Sequence, residues 1–286
     1  MTPTRSRGFF TQAFIVQSVG LLIAVIGIWM LYSQYIRPQA QEAEITRRIL
    51  AQRGDEDAQS SQRNFVVILK DYEQQACLTL MVWATILLMH KLWVVSREQK
   101  MLDRDFVSLE VGQRILPDDA LDHSKEVHAL FEQERSLASK LLPQFVLSAL
   151  QRFHATRSIQ DAAGAVQEQS QLAADELDSD LSLVRYIAWA IPSVGFIGTV
   201  RGIGDALAQA DEVLRSNDLS GVTNSLGLAF NSTLVALVLS IFLMFVLHLL
   251  QSRQEHLIQD FQEYCRRKIV DLMKVPERDE LDETFV

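Results

Sequence analysis

The chain has 286 residues, 48% of them hydrophobic and 22% charged, with a mean hydropathy of +0.08 and a formal net charge of −9. Such a hydropathy beside so many charges means that apolar residues are gathered in blocks, which argues against an ordinary soluble domain and for a membrane protein. Its two cysteines, Cys77 and Cys265, give neither a disulfide framework nor a metal-ligand spacing, and the charge, spread over the segments between the blocks, singles out no class of partner.

Four apolar blocks lie at about 9–36, 76–95, 184–208 and 225–250. Each supplies the roughly 20 residues that cross a hydrocarbon core. The expected fold is therefore all-α: a polytopic membrane protein with four transmembrane helices, the third and fourth extending into the cytoplasm, and a helical cytoplasmic insert. The segments divide as 1–97 (two spans and their outer connection), 98–180 (insert), 181–252 (two further spans) and 253–286 (helical extension and acidic tail).

Arg5 and Arg7 precede the first block and place the N-terminus in the cytoplasm by the positive-inside rule. The block is too long for a cleaved signal and lacks a small-residue cleavage site. Phe9 and Phe10 at one end, and Trp29, Tyr32 and Tyr35 at the other, read as interfacial anchors. Residues 37–74 form a polar connection with a turn at Gly54 and Asp55. Its six Lys/Arg count against an outer position, but the later flanks favour one. The second block ends in His90, Lys91 and Trp93, with Arg97, Lys100 and Arg104 beyond, a cytoplasmic edge.

The insert is broken at Pro117 and Pro143, and its apolar positions Leu137, Leu141 and Phe145, with Ser148, follow a helical period. The segment 210–223, with Asp211, Glu212 and Asp218 against Arg215, reads as an outer loop. The fourth span continues as a cytoplasmic helix to about Lys274, with Ile258, Phe261, Cys265 and Leu272 on one face. The acidic end after Pro276 has a disordered composition, so both termini are expected in the cytoplasm.

The third block is unusual for a span: Pro192, Gly195, Gly198 and Gly202 interrupt it, and Gly198 and Gly202 form a GxxxG pair. Small residues let helix backbones approach in lipid, where the hydrophobic effect does not drive association. The fourth block answers with Ala229, Thr233, Ala236 and Ser240 on one face and Asn231 and Ser232 beside it. Thr199, Thr233, Asn231 and Ser240 are candidate ion-pathway residues. For a lone Thr or Ser the plainer reading is a bond to its own helix backbone. Thr199 and Thr233 each lie nine residues from the same end of their spans, about 13 Å deep at a 1.5 Å rise. Two antiparallel helices thus offer hydroxyls at one level.

Neither block carries a central Asp, Glu, Lys or Arg, which would mark an ion pathway, and a partner is expected to supply the carboxylate. Arg201 and Asp205, near the outer end, read as an ion pair four residues apart, with a gate or funnel as the sharper alternative. Asp122, His123, Glu126 and His128 suit a solvated helix face better than a metal site. His248 suits an interface better than a relay, and Asp175, Glu176, Asp178 and Asp180 suit a solvated acidic surface or a lined cation exit. No phosphate loop, zinc motif, nucleophile elbow or nucleic-acid patch is present. No cofactor is implied, and no enzyme.

Pro192-Ser-Val-Gly195-Phe-Ile-Gly198-Thr199-Val200-Arg-Gly202 resembles the PxxGxxGTVxG signature of the MotA/TolQ/ExbB proton-channel family, and Ala229–Leu237 resembles its ALxxTxxGL segment. Arg201 is an unusual charge inside the signature, Ala236 stands where the family usually has glycine, and Phe242 stands about where a proline often follows. Four spans with the large cytoplasmic part between the second and third look more like MotA than the three-span members. The resemblance implies a homopentameric ring in the bacterial inner membrane around a single-span MotB/TolR/ExbD-like partner. The partner's aspartate would carry a proton past Thr199 and Thr233, and the flow would drive mechanical work. A scaffold or signalling anchor that uses the same packing without conducting is the rival reading, and a channel relayed by Asp205 is another.

Overall fold

The structure, a computed structural model, describes residues 5–42, 45, 71–107, 113–134, 137, 140–209 and 219–276. These are almost wholly α-helical and contain no strand, only one isolated parallel bridge between Ile115 and Met273. The helices are α1 (Arg5–Leu31), α2 (Tyr72–Gln99), α3 (Pro117–Gln133), α4 (Leu141–Thr156), α5 (Ile159–Asp180), α6 (Ser182–Ala208) and α7 (Ser220–Lys268). Four helical segments are long and apolar enough to cross a membrane: Phe14–Glu42, Tyr72–Asp103, Ile159–Ala208 and Gly221–Leu272. The turn expected at Gly54 and Asp55, most of the acidic 210–223 loop and the acidic end lie outside the described residues.

The chain divides into two compact units. The first holds residues 1–90 and 182–248, and therefore α1, most of α2, α6 and the first half of α7. Its helices touch through small residues and leave large apolar side chains outward, the arrangement of a unit solvated by lipid. Phe14, Ile23, Trp29, Trp189, Ile241 and Phe245 are all more than half exposed. Gly20 lets α1 approach Trp83 and Ile86 of α2, and the Trp83 indole N–H donates to the Gln17 carbonyl at 3.0 Å. A π-helical turn, Tyr32–Ile36, follows α1. Trp29 and Tyr35 are exposed there, as anchors would be, but Tyr32 is 1% exposed and faces inward. Tyr32 continues the inward stripe of Gly20, Ala24 and Ile28 at steps of four, which a reading of the three aromatics alone misses.

The second unit holds residues 91–181 and 249–286. Phe145 and Phe153 of α4 and Phe261 of α7 are fully buried, and Phe145 meets Phe261 edge-to-face with ring centroids 5.9 Å apart. The buried face of α4 runs through Leu142, Phe145, Val146, Ala149, Leu150 and Phe153. The expected stripe through Leu141, Phe145 and Ser148 shares only Phe145 with it. Pro143 opens the helix rather than breaking it, as proline's fixed φ allows in a first turn. On α7 the expected stripe holds at Ile258, Phe261 and Cys265, but the next buried position is Ile269. Leu272, half-exposed, belongs to a short 3₁₀ turn.

Polar side chains tie this unit together. Glu98, 6% exposed, accepts the Leu141 N–H and the Lys140 ammonium, each at 3.0 Å, so a carboxylate from α2 closes the N-terminus of α4. Helix α4 ends on Arg157 in the left-handed region at φ 52°, and Ser158 caps α5 by accepting the Asp161 N–H. Lys91 pairs with Asp180, while Asp175 and Glu176 are exposed. On α3, His123 bonds Glu126 and Lys125 bonds Asp122, holding the Asp122 carboxyl below its usual range. No group of three metal-ligating side chains occurs among the described residues.

Phe261→Ala is expected to lower stability by about 3–5 kcal/mol, the cost of deleting a buried aromatic. The exposed Leu172 changed to Ala should stay within about 0.5 kcal/mol of the parent. Thermal unfolding of the detergent-solubilised protein measures both.

Candidate functional site

Helices α6 and α7 lie antiparallel along a seam of small residues. A β-carbon built on Gly195 would fall 2.5 Å from the Ala236 Cβ, one on Gly198 2.8 Å from the Ser232 Cβ, and one on Gly202 2.6 Å from the Ala229 Cβ. These rungs run in opposite directions along the two helices: 195 with 236, 198 with 232, 202 with 229. Each glycine is buried, and Ala229 and Ala236 are fully so. At Gly202 the built carbon also meets the Ser225 carbonyl at 3.0 Å, a backbone atom that cannot turn aside. The seam needs glycine there because any side chain would part the helices.

Pro192 lies inside α6. It has no N–H, so the Ala188 carbonyl, four residues earlier, loses its helical donor. In lipid such a group must find another. The Ser240 hydroxyl donates to it at 2.9 Å from across the seam, and Ser240 is 9% exposed. The structure thus gives Ser240 a backbone partner rather than a place beside the threonines. Asn231 is half-buried, one position off the Ser232 rung.

Between the rungs the two threonines meet. The Thr199 and Thr233 hydroxyls are in direct hydrogen-bond contact. Thr233 also donates to the Gly195 carbonyl at 3.0 Å, and Thr199 has the Ala229 carbonyl at 3.2 Å and the Gly195 carbonyl at 3.4 Å as alternatives. Two hydroxyl protons therefore have more acceptors than they can serve at once. Both side chains are half-buried, so the pair remains reachable from outside this chain. Such a pair can pass a donated hydrogen bond from one helix to the other without moving either backbone.

Arg201 does not pair with Asp205. Its Nη2 lies 3.0 Å from Glu73 Oε2 at the start of α2. An arginine placed before its acid at i, i+4 is in the less favourable order, and Glu73 comes from a third helix packed on the seam. Its Cγ lies 3.2 Å from the β-carbon position of Gly198, and the adjacent Gln74, fully buried, donates to the Ser232 hydroxyl at 3.4 Å. Sequence reading ends the polar connection at residue 74 and so passes over both residues. A signal was present: Cys77, Ala84 and Leu88 form the buried stripe of α2, and stepping back four and three residues from Cys77 gives Glu73 and Gln74. Cys77 itself donates its thiol to the Ile191 carbonyl at 3.6 Å.

Four apolar helices around a backbone-close seam define a multi-pass α-helical membrane protein. More particularly, residues 138–263, which run from the start of α4 well into α7 and contain the whole seam, match the family model of the MotA/TolQ/ExbB proton channel family. No curated protein and no solved structure matches the chain.

Gly195→Ala and Gly202→Ala are expected to cost about 1–3 kcal/mol each by overpacking the seam. Gly204 and Gly227 have open space around them. Their alanine variants should be neutral or stabilising by up to about 1 kcal/mol through helix propensity. Unfolding midpoints in detergent separate the two pairs.

Proposed function

We propose that this chain is the ring-forming subunit of an ion-driven complex in a bacterial inner membrane. Several copies, five by the resemblance, surround a single-span partner whose aspartate carries a proton past Thr199 and Thr233. Movement of the ring against that partner converts the gradient into mechanical work. The observation that carries this reading is the Thr199–Thr233 contact, set in the seam of a region matched by a proton-channel family. Further support comes from the outward face of α6, where Trp189, Phe196, Ile197, Val200 and Leu207 are more than half exposed. That surface suits lipid or neighbouring copies. With the family's usual orientation, the second unit faces the cytoplasm and meets whatever the ring drives.

Native mass spectrometry of the gently extracted complex tests the assembly: five copies with a smaller single-span protein support it, and a lone monomer overturns it. Thr199→Val with Thr233→Val tests the pathway. Each hydrogen bond to a charged group is worth about 1.5–3 kcal/mol, so flux into vesicles should fall on the order of tenfold or more while the ring stays intact. Unchanged output from an intact ring would instead point to a non-conducting scaffold.

A further inference from the structure

We propose that Glu73 is a second proton-binding carboxylate, carried by this chain itself and placed between Arg201 and the Thr199–Thr233 pair. The inference rests on the conduction proposed above and adds to it a site on α2, outside the matched region 138–263.

Glu73 is 9% exposed in a unit whose outer surface is apolar, and an ionisable side chain in that setting is expensive to keep. A carboxylate kept for structure alone takes its full set of donors, as in a two-pronged arginine pair. Here the nearest Arg201 nitrogen, Nη2, lies 3.0 Å from Oε2 without hydrogen-bond alignment, and Oε2 accepts no hydrogen bond. Arg201 is 47% exposed at its side chain against 10% for Glu73. The cation is the more accessible partner and the carboxylate the more buried one.

A second observation points into the same place. Gln74 is fully buried, and its Oε1 accepts no hydrogen bond even though its Nε2 donates to Ser232. A buried carbonyl oxygen that lacks a donor is costly in apolar surroundings, and a proton arriving there, on water or on a carboxylic acid, relieves it. Glu73 and Ser232 both crowd the β-carbon position of Gly198, at 3.2 and 2.8 Å. Gly198 and Ser232 are each one residue from a threonine of the hydroxyl pair. The other titratable groups nearby are Cys77, whose thiol is bonded to Ile191, and Asp71 and Tyr32, which lie within electrostatic reach of each other. On the far side of α2, Arg37 is engaged with Gln75 and the Tyr72 ring.

The step balances simply. The Glu73 carboxylate takes a proton from hydronium at the end of the membrane where α2 begins, releasing water, and becomes neutral. Arg201 keeps its own proton and turns outward. The proton then leaves the Glu73 carboxyl for the partner's carboxylate at the level of the threonines, and the ion pair with Arg201 re-forms. Gly198 has no side chain to stand in the way.

Dicyclohexylcarbodiimide, which modifies protonated carboxyls in apolar surroundings, is the probe. The purified ring in vesicles is treated across a pH series, and the modified residue is located by peptide mass spectrometry. Expected is modification at Glu73 that rises as pH falls, is higher in Arg201→Met at every pH because the opposite charge is gone, and is absent in Glu73→Gln. An unmodified Glu73 in both parent and Arg201→Met overturns the proposal, as does protection by sodium with no response to pH. With the partner present, Glu73→Gln should reduce flux on the order of tenfold, as expected for losing a charged carrier, and unchanged flux overturns the proposal. Should Glu73→Gln fail to assemble, Arg201→Met decides through the modification alone. A parent ring that conducts with no partner at all would count against the proposed function, while the modification pattern still decides the role of Glu73.

Discussion

Backbone contact between α6 and α7 is the constraint on which the rest of the membrane unit depends. Lipid offers no hydrophobic reward for bringing helices together, so dispersion between close backbones and hydrogen bonds across them must do it. Gly195, Gly198 and Gly202 permit that approach, and their opposite numbers are Ala236, Ser232 and Ala229. Only at this separation can a threonine hydroxyl on one helix reach both the hydroxyl and the carbonyls of the other. The Thr199–Thr233 contact is thus a by-product of the seam, and so is the place where Glu73 can lie against α6.

Two kinds of polarity share this unit. Some of it serves backbone: Ser240 answers the Ala188 carbonyl that Pro192 releases, and Cys77 adds a weak donor to the Ile191 carbonyl three residues along. The rest concentrates at one level, where Thr199, Thr233, Ser232, Gln74 and Glu73 gather. Backbone repair uses each donor completely. The second group leaves acceptors over.

The four spans were legible because lipid imposes a long apolar run that soluble folds seldom show. The seam was legible because small residues at spacings of three and four are otherwise wasteful in a span. What the sequence hid depends on side chains from a third element. Arg201 has a carboxylate four residues away, yet the one it meets is 128 residues earlier in the chain. Nothing local announces that, though the stripe through Cys77 pointed inward at Glu73. Tyr32 and the face of α4 were misjudged for a different reason: residue type and one chosen spacing were followed, while the inward faces run through Ala24, Ile28 and Tyr32 and through Leu142, Phe145, Ala149 and Phe153.

The bond from Ser240 to Ala188 also bears on how the protein reaches the bilayer. During synthesis α6 emerges before α7, and alone in lipid it would hold a carbonyl with no donor beside its proline. Its glycines would face acyl chains that cannot follow so narrow a groove. Both defects vanish once α7 arrives. The translocation machinery is therefore better served by releasing the two helices sideways together, as a closed hairpin, than one after the other.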